Sequence, residues 1–367
     1  MNLEEILTQT QFDLPYLFSI RDGLSIDEFK KILVDYKKTI DANSDLLKGI
    51  LKEPDLRGTT YIYDAAEFQH TVAHITDKII TALDLYLNGH PYGAYTSIHS
   101  AITDNNILFQ ILTRKTEIIR PGTTFYRLRT DEDKFFNYPL TPLQLFHIPF
   151  QLRYLLSPQR FSISGYPSLY MAGSLMTACC EKNVNEKSEQ INKVKAVAFK
   201  NIRSIKYIDL SAKDINVLLH EHGVLKIASP DDKIRQALYD YGVLFPLVAA
   251  CHTKITYPDS YAPFRIEYII PQIILQWIKS NNIMADGIRY FCNRISAPNR
   301  HRHIDAYNYV FPVRTALSDG YCQELKNIFL SSPVLEGKHI SFSSNDFSTK
   351  IMEFQAQLQA SPFTTIA

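Results

Sequence analysis

The apolar periodicity of the chain changes once, near Ile118, and that change constrains the fold more than any other feature. Before it, apolar residues recur at helical spacing. After it, short strand-like runs alternate with helical ones. Ser25 to Phe29 reads as a helix start, with Ser25 as cap and Glu28 three positions on. Phe29, Ile32, Leu33 and Tyr36 then keep a helical period. Val72, Ile75, Ile79, Ile80 and Leu83 repeat it within 66–86, closed by Asn88-Gly89 and Pro91. A further helix is expected over 94–113. Arg120-Pro121-Gly122 is a turn, and residues 123–129 read as the first strand.

Later strands are expected over 168–172, 194–200, 205–209, 287–292 and 306–312. Helices are expected over 143–155, 175–182, 212–220, 233–249, 270–279 and 345–360. The order is irregular rather than a repeating βαβ series, which points to an α+β fold. The reading is a helical N-terminal domain, 1–117, followed by a mixed α+β domain, 118–367.

Composition narrows the function. The chain is 46% hydrophobic, enough for a substantial core. A net charge of +1 supplies no global field for nucleic acid or membrane, so an anionic ligand needs a local cluster. The cysteines number five, an odd count without a CxxC pair, which argues against a disulfide framework or a zinc site. His220-Glu221-His222 and Arg300-His301-Arg302-His303 lack the i, i+4 spacing of a helical zinc site, so no metal is expected. Met1-Asn-Leu-Glu-Glu lacks the basic and apolar segments of a secretory signal. Residues 268–278 are too short to span a bilayer, and Pro271 and Gln272 interrupt them. The expectation is a cytoplasmic protein without nucleic-acid or membrane partners.

The stretch from Arg160 to Glu181 carries the chemistry. Gly165-Tyr166-Pro167 is a turn, and Leu169-Tyr170-Met171-Ala172 is a short apolar strand. Gly173-Ser174 breaks it, with Ser174 placed to cap the next helix. Glu181 lies near the end of that helix, after the small residues Ala178, Cys179 and Cys180. A cation, an aromatic hydroxyl and a carboxylate thus sit on consecutive loop, strand and helix. Taken singly, each has an ordinary alternative: a surface ion-pair partner, a core tyrosine, a solvated glutamate.

This segment resembles the RES domain, a family of NAD-degrading enzymes best known as toxins of toxin–antitoxin pairs. The family pattern has an Arg-aromatic start, a Gly-x-Pro turn, a Tyr in a Leu/Val-Tyr-x-Ala strand and a Glu ending the following helix. Arg160, Tyr170 and Glu181 occupy those places without insertion or deletion. Phe125-Tyr126-Arg127-Leu128-Arg129, Phe146-His147-Ile148-Pro149 and Ala285-Asp286-Gly287-Ile288-Arg289-Tyr290 extend the likeness, over roughly 120–315. In larger members a Ser follows the late Gly-Ile-x-Tyr strand. Here Phe291-Cys292-Asn293 stands there, so Cys292 replaces the Ser, with Ser296 as a surrogate.

The resemblance implies a fold related to ADP-ribosyltransferases and cleavage of the nicotinamide–ribose bond of NAD. NAD is then a substrate, and no prosthetic group is expected. Glu181 would stabilise the oxocarbenium-like charge on the ribose. Arg160 would hold the pyrophosphate, with Arg127 or Arg129 adding phosphate contact. Tyr170 would pack on the nicotinamide or bond the ribose. Water, inorganic phosphate and a macromolecule all stay open as acceptors. An antitoxin is a candidate partner. A nucleotide-binding module with reduced catalysis is the alternative from a different class.

Overall fold

The computed structural model describes residues 23–43, 65–104, 106–114, 117–130, 139–184, 190–211, 232–257, 263–281, 285–292, 294–295, 306–315 and 320–366. The expected helix 212–220, the two histidine clusters and Ser296 lie outside them. The fold is α+β, with helices and one mixed sheet.

The helices are α1 (Ile26–Ala42), α2 (Ala65–Leu87), α3 (Pro91–Thr103), α4 (Asn106–Arg114), α5 (Leu175–Glu181), α6 (Asp232–His252), α7 (Ile269–Ser280), α8 (Gln323–Lys326) and α9 (Phe347–Ala360). The strands are β1 (Glu117–Ile119), β2 (Thr124–Thr130), β3 (Ser168–Ala172), β4 (Val194–Asn201), β5 (Ile205–Asp209), β6 (Gly287–Phe291), β7 (Tyr307–Pro312), β8 (Phe329–Ser331), β9 (Leu335–Glu336) and β10 (Thr364–Thr365). By internal contacts the chain forms two units, Met1–Lys115 with Ala212–Trp277 and Thr116–Ser211 with Ile278–Ala367.

The first unit is built from helices. Ser25 caps α1 through the full capping box with Glu28. On α2, Phe68, Val72, Ile75, Ile79 and Leu83 are buried at the helical spacing read from the sequence. Gly89 then takes a φ of +82°, a conformation that glycine adopts without strain. The expected helix 94–113 is two helices, α3 beginning on Pro91 and α4 on Asn106. The linear domain division keeps residues 212–277 with the second domain, whereas the contacts group them with the first unit. The reason is α6. Its Phe245 ring lies 4.1 Å from Tyr36, and its Tyr239 ring lies 5.1 Å from Phe68. Tyr36 also donates to the Gly242 carbonyl at 2.8 Å.

The second unit carries the sheet, in the order β1-β5-β6-β7-β3-β2-β4-β8-β10, with β9 paired to β4. The β5–β6 pair is parallel and the other described pairs are antiparallel. Strand alternation divides the core in two. Phe125, Leu169, Met171, Val197, Phe199, Tyr309, Phe311 and Phe329 pack on one face. Tyr126, Leu128, Ala172, Ala196 and Ala198 pack on the other, against Leu175, Ala178 and Cys179 of α5 and Ile351, Phe354 and Leu358 of α9. The six expected strands all lie within one residue of their predicted bounds, and in β3, β4, β6 and β7 burial of both faces leaves the apolar run that made them readable.

A further expectation is corrected here. Residues 143–155 are not one helix but two 3-10 turns, Pro142–Leu145 and Phe150–Leu155. Pro149 between them lacks an N–H and biases Ile148 away from helix. Gly287 is not required for an unusual φ. It is required because a Cβ there would lie 2.5 Å from the Val310 carbonyl oxygen and 2.7 Å from the Phe311 ring. Gly287→Ala should therefore destabilise the second unit by about 1–3 kcal/mol, the usual cost of overpacking. Urea unfolding followed by tyrosine fluorescence checks this, and an unchanged midpoint contradicts it.

His147 is a satisfied core histidine. It is 1% exposed, its Nε2 accepts from the Cys322 N–H at 2.9 Å, and its Nδ1 therefore donates to the Ile148 carbonyl.

Candidate functional site

Glu181 is the last residue of α5, which Ser174 starts by accepting from the Thr177 N–H at 3.1 Å. Ala178 and Cys179 bury the inner side of the helix. The Glu181 carboxylate keeps 36% of its side-chain surface exposed, so a ligand can reach it. Its Oε1 accepts from Asn308 Nδ2 of β7. Its Oε2 lies 3.8 Å from Arg294 Nε, and Arg294 also donates to Asn183.

Cys292 follows β6 directly and is fully buried. Its N–H donates to the Ala306 carbonyl at 2.9 Å, which fixes the start of the loop after β6. Burial, the Glu181 charge and a hydrogen bond to that carboxylate push the thiol up, and Cys180 adds to the rise. The thiol therefore stays protonated and donates to Glu181. A serine hydroxyl in this place would donate in the same direction, more strongly.

Arg160 sits at the tip of a tight turn. Gln159 and Ser162 exchange backbone hydrogen bonds at 3.1 and 3.2 Å across it. The Tyr170 hydroxyl accepts from the Phe161 N–H at 3.1 Å and from the Ser162 hydroxyl at 3.0 Å. Tyr170 thus ties β3 to the turn that presents Arg160. Phe161 is buried, with its ring 4.8 Å from that of Tyr290.

Tyr290 links these parts. Burial pushes its hydroxyl well above the ordinary tyrosine range. Glu181, Tyr170 and Cys292 each add to the rise, and the Arg160 guanidinium opposes it. Tyr170 thus holds the turn of Arg160, Cys292 follows the strand of Tyr290, and Glu181 is bonded to Asn308, the register partner of Tyr290, so that Tyr290 lies within electrostatic reach of all four sequence candidates. The sheet register explains the gathering, since Tyr290 of β6 is paired with Asn308 of β7, and Asn308 with Ala172 of β3.

Arg127 and Arg129 are placed differently. They alternate with Tyr126 and Leu128, so they share the sheet face of Phe125, opposite α5. Arg127 donates to the Tyr170 carbonyl at 2.9 Å. Arg129 is paired in register with Lys195.

Tyr290, Asn308 and Phe161 were not among the sequence candidates. Asn308 had a readable signal, as the one amide in the run Tyr307-Asn308-Tyr309-Val310-Phe311. Tyr290 stood within a quoted strand but carried no assigned role. Among the described residues no group of His, Cys, Asp or Glu could hold a metal ion.

Comparison with known proteins adds one relative. Over 271 residues the chain is 27% identical to a Bacillus subtilis (strain 168) protein named "Putative toxin YopC". The match covers 72% of this chain and 58% of that protein. The chain is thus similar to part of a longer protein named as a toxin. No protein-family model and no solved structure matches it. No helix among the described residues is long and apolar enough to cross a membrane.

Cys292 is open to a direct test. If NAD is the substrate, as the sequence leads one to expect, Cys292→Ser keeps a donor to Glu181 and should keep or raise its turnover. Cys292→Leu removes the donor and crowds a fully buried position. A lost buried hydrogen bond costs about 1–3 kcal/mol, so turnover should fall roughly 10-fold or more. Equal rates for both variants and the parent would place Cys292 outside the working site.

Proposed function

We propose that the sheet-bearing unit is a RES-type domain that cleaves the nicotinamide–ribose bond of NAD, and that the chain acts as a toxin. One observation carries this reading. A partly exposed carboxylate, Glu181, is oriented by a buried amide and a buried thiol beside Tyr290, with Arg160 acting on the same tyrosine. The similarity to the Bacillus subtilis protein supports the toxin part of the reading.

The chemistry follows from the residues. Nicotinamide leaves as a neutral molecule from a pyridinium, so little acid catalysis is needed. Positive charge develops on the ribose as the bond breaks. Glu181 meets that charge with an anion already in place. Arg160 is a planar guanidinium on a pinned turn, suited to the diphosphate. Tyr170 and Phe161 hold that turn, and the Phe161 ring packs on that of Tyr290. Cys292 does the work of the serine found in larger RES members, as a donor to Glu181. Water or inorganic phosphate then takes the ribosyl group.

Incubation of the purified chain with NAD, with and without phosphate, tests the reading by the masses of the products. Free nicotinamide with ADP-ribose or its 1-phosphate is expected. Label from NAD appearing on protein or nucleic acid would move the assignment to ADP-ribosyl transfer. NAD bound but unchanged would leave a binding module.

A further inference from the structure

β7 places one amide inside an otherwise aromatic and aliphatic run. Asn308 is 4% exposed. Asparagine is depleted in strands, and a buried amide costs free energy unless it is hydrogen-bonded. The position is also central, with Ala172 of β3 paired on one side and Tyr290 of β6 on the other. What the amide does there is donate Nδ2 to Glu181 Oε1.

We infer that Asn308 is a positioning residue that fixes the Glu181 carboxylate while leaving its charge intact. The inference rests on the NAD reading for its chemistry. Glu181 ends α5, at the negative end of the helix dipole, where an anion is disfavoured. It therefore needs donors to stay ordered. A lysine or arginine on β7 would supply them but would also cancel the field that a developing ribose cation requires. A neutral amide satisfies one oxygen and leaves the charge.

The backbone of β7 is held on both sides by neighbouring strands, so the donor sits on a rigid support. Arg294 is different in kind. It is half-exposed, at 3.8 Å, and faces the other oxygen, Oε2. Oε1 is thus the oxygen held from β7, and Oε2 faces the half-exposed Arg294.

Asn308→Asp tests this with an isosteric side chain. At neutral pH its carboxylate repels Glu181 instead of donating. The kcat for NAD should fall on the order of 100-fold, as expected for a misplaced reacting group, with KM little changed. On acidification the introduced carboxyl takes up a proton and regains a donor, so kcat relative to the parent should recover as pH falls. Refolding of a protein destabilised by a buried charge would also recover with acid, so kcat is taken per folded protein, measured by circular dichroism at each pH; a merely structural role leaves that value at the parent's level throughout.

Asn308→Ser covers the case in which N308D does not fold. It should show the loss without the acid recovery. Selective 15N-asparagine labelling reads the bond without any turnover. The side-chain amide pair absent from N308S should be the pair that moves in E181Q. If that pair does not move, or if N308D turns over like the parent at neutral pH, the inference is overturned. If the pair moves but the parent releases no nicotinamide, the NAD reading falls and the hold of Asn308 on Glu181 stands.

Discussion

Glu181→Gln should lower the turnover of NAD by about two to three orders of magnitude while changing NAD affinity little. The glutamine keeps the shape of the side chain, and its carbonyl can still accept from Asn308. What it lacks is the charge, which matters only as the ribose becomes cationic. A loss confined to kcat is the mark of an interaction made in the transition state. Arg160→Ala should behave oppositely. Its guanidinium would contact the diphosphate in both ground and transition states, and bonds to charged groups are worth about 1.5–3 kcal/mol. NAD binding should therefore weaken roughly 10- to 100-fold. Stopped-assay kinetics on the two variants, with binding by calorimetry, separate the effects. Near-normal turnover in a folded E181Q protein would reduce Glu181 to a solvated helix residue.

Phe125→Ala should be the most damaging single truncation in the sheet unit, at about 3–5 kcal/mol. Phe125 is 1% exposed. Its ring meets Tyr309 at 5.0 Å, Phe329 at 5.8 Å and Phe311 at 6.2 Å, each near-perpendicular. Edge-to-face pairs of this kind add to the area buried. The strands that supply these rings, β2, β7 and β8, would face a shared cavity. Because β7 also carries Asn308, the loss should reach the site as reduced activity near the new unfolding midpoint. Guanidinium unfolding measures the first effect, and a change below about 1 kcal/mol would show that the cluster repacks.

The legible parts of this chain are those in which one local rule dominates. Ser25 with Glu28, and Ser174 before Leu175, mark helix starts by hydrogen-bond chemistry that operates within four residues. Leu169 to Ala172 was legible as a strand because both of its faces are buried. The 3-10 turns around Pro149 were not, because Leu143, Leu145 and Phe146 keep a helical spacing that Pro149 overrides. β8, β9 and β10 are two or three residues long, too short for any period to show.

The grouping of 212–277 with the first unit depends on what α6 packs against, and periodicity does not state a partner. The candidate site shows the same limit. Arg160, Tyr170 and Glu181 share a local segment and could be read together. Tyr290 and Asn308 join them through strand register across β6, β7 and β3, which spacing along the chain does not encode. Alternation along β2 places Arg127 and Arg129 on one face. Only the tertiary structure tells that α5 covers the other.

A part-buried ion pair, Asp209–Arg289, lies on the Phe125 face. Burial alone would raise the Asp209 carboxyl, but the charge and hydrogen bonds of Arg289, with the Ser211 hydroxyl and N–H, outweigh it and hold the carboxyl below its ordinary value. The Arg289 guanidinium lies between the rings of Tyr207 at 4.7 Å and Tyr307 at 4.5 Å. It anchors β5 to β6 at the parallel pairing and so supports the strand that delivers Tyr290 and Cys292.

On the proposed reading, NAD is bound and cleaved beside Glu181, Asn308 and Cys292. A crystal structure of the E181Q protein soaked with NAD tests it most directly, because this variant should retain the intact dinucleotide. The nicotinamide ribose is expected within hydrogen-bonding distance of residue 181, with the diphosphate on Arg160. Intact NAD seated elsewhere on the chain, with this site empty, would contradict it.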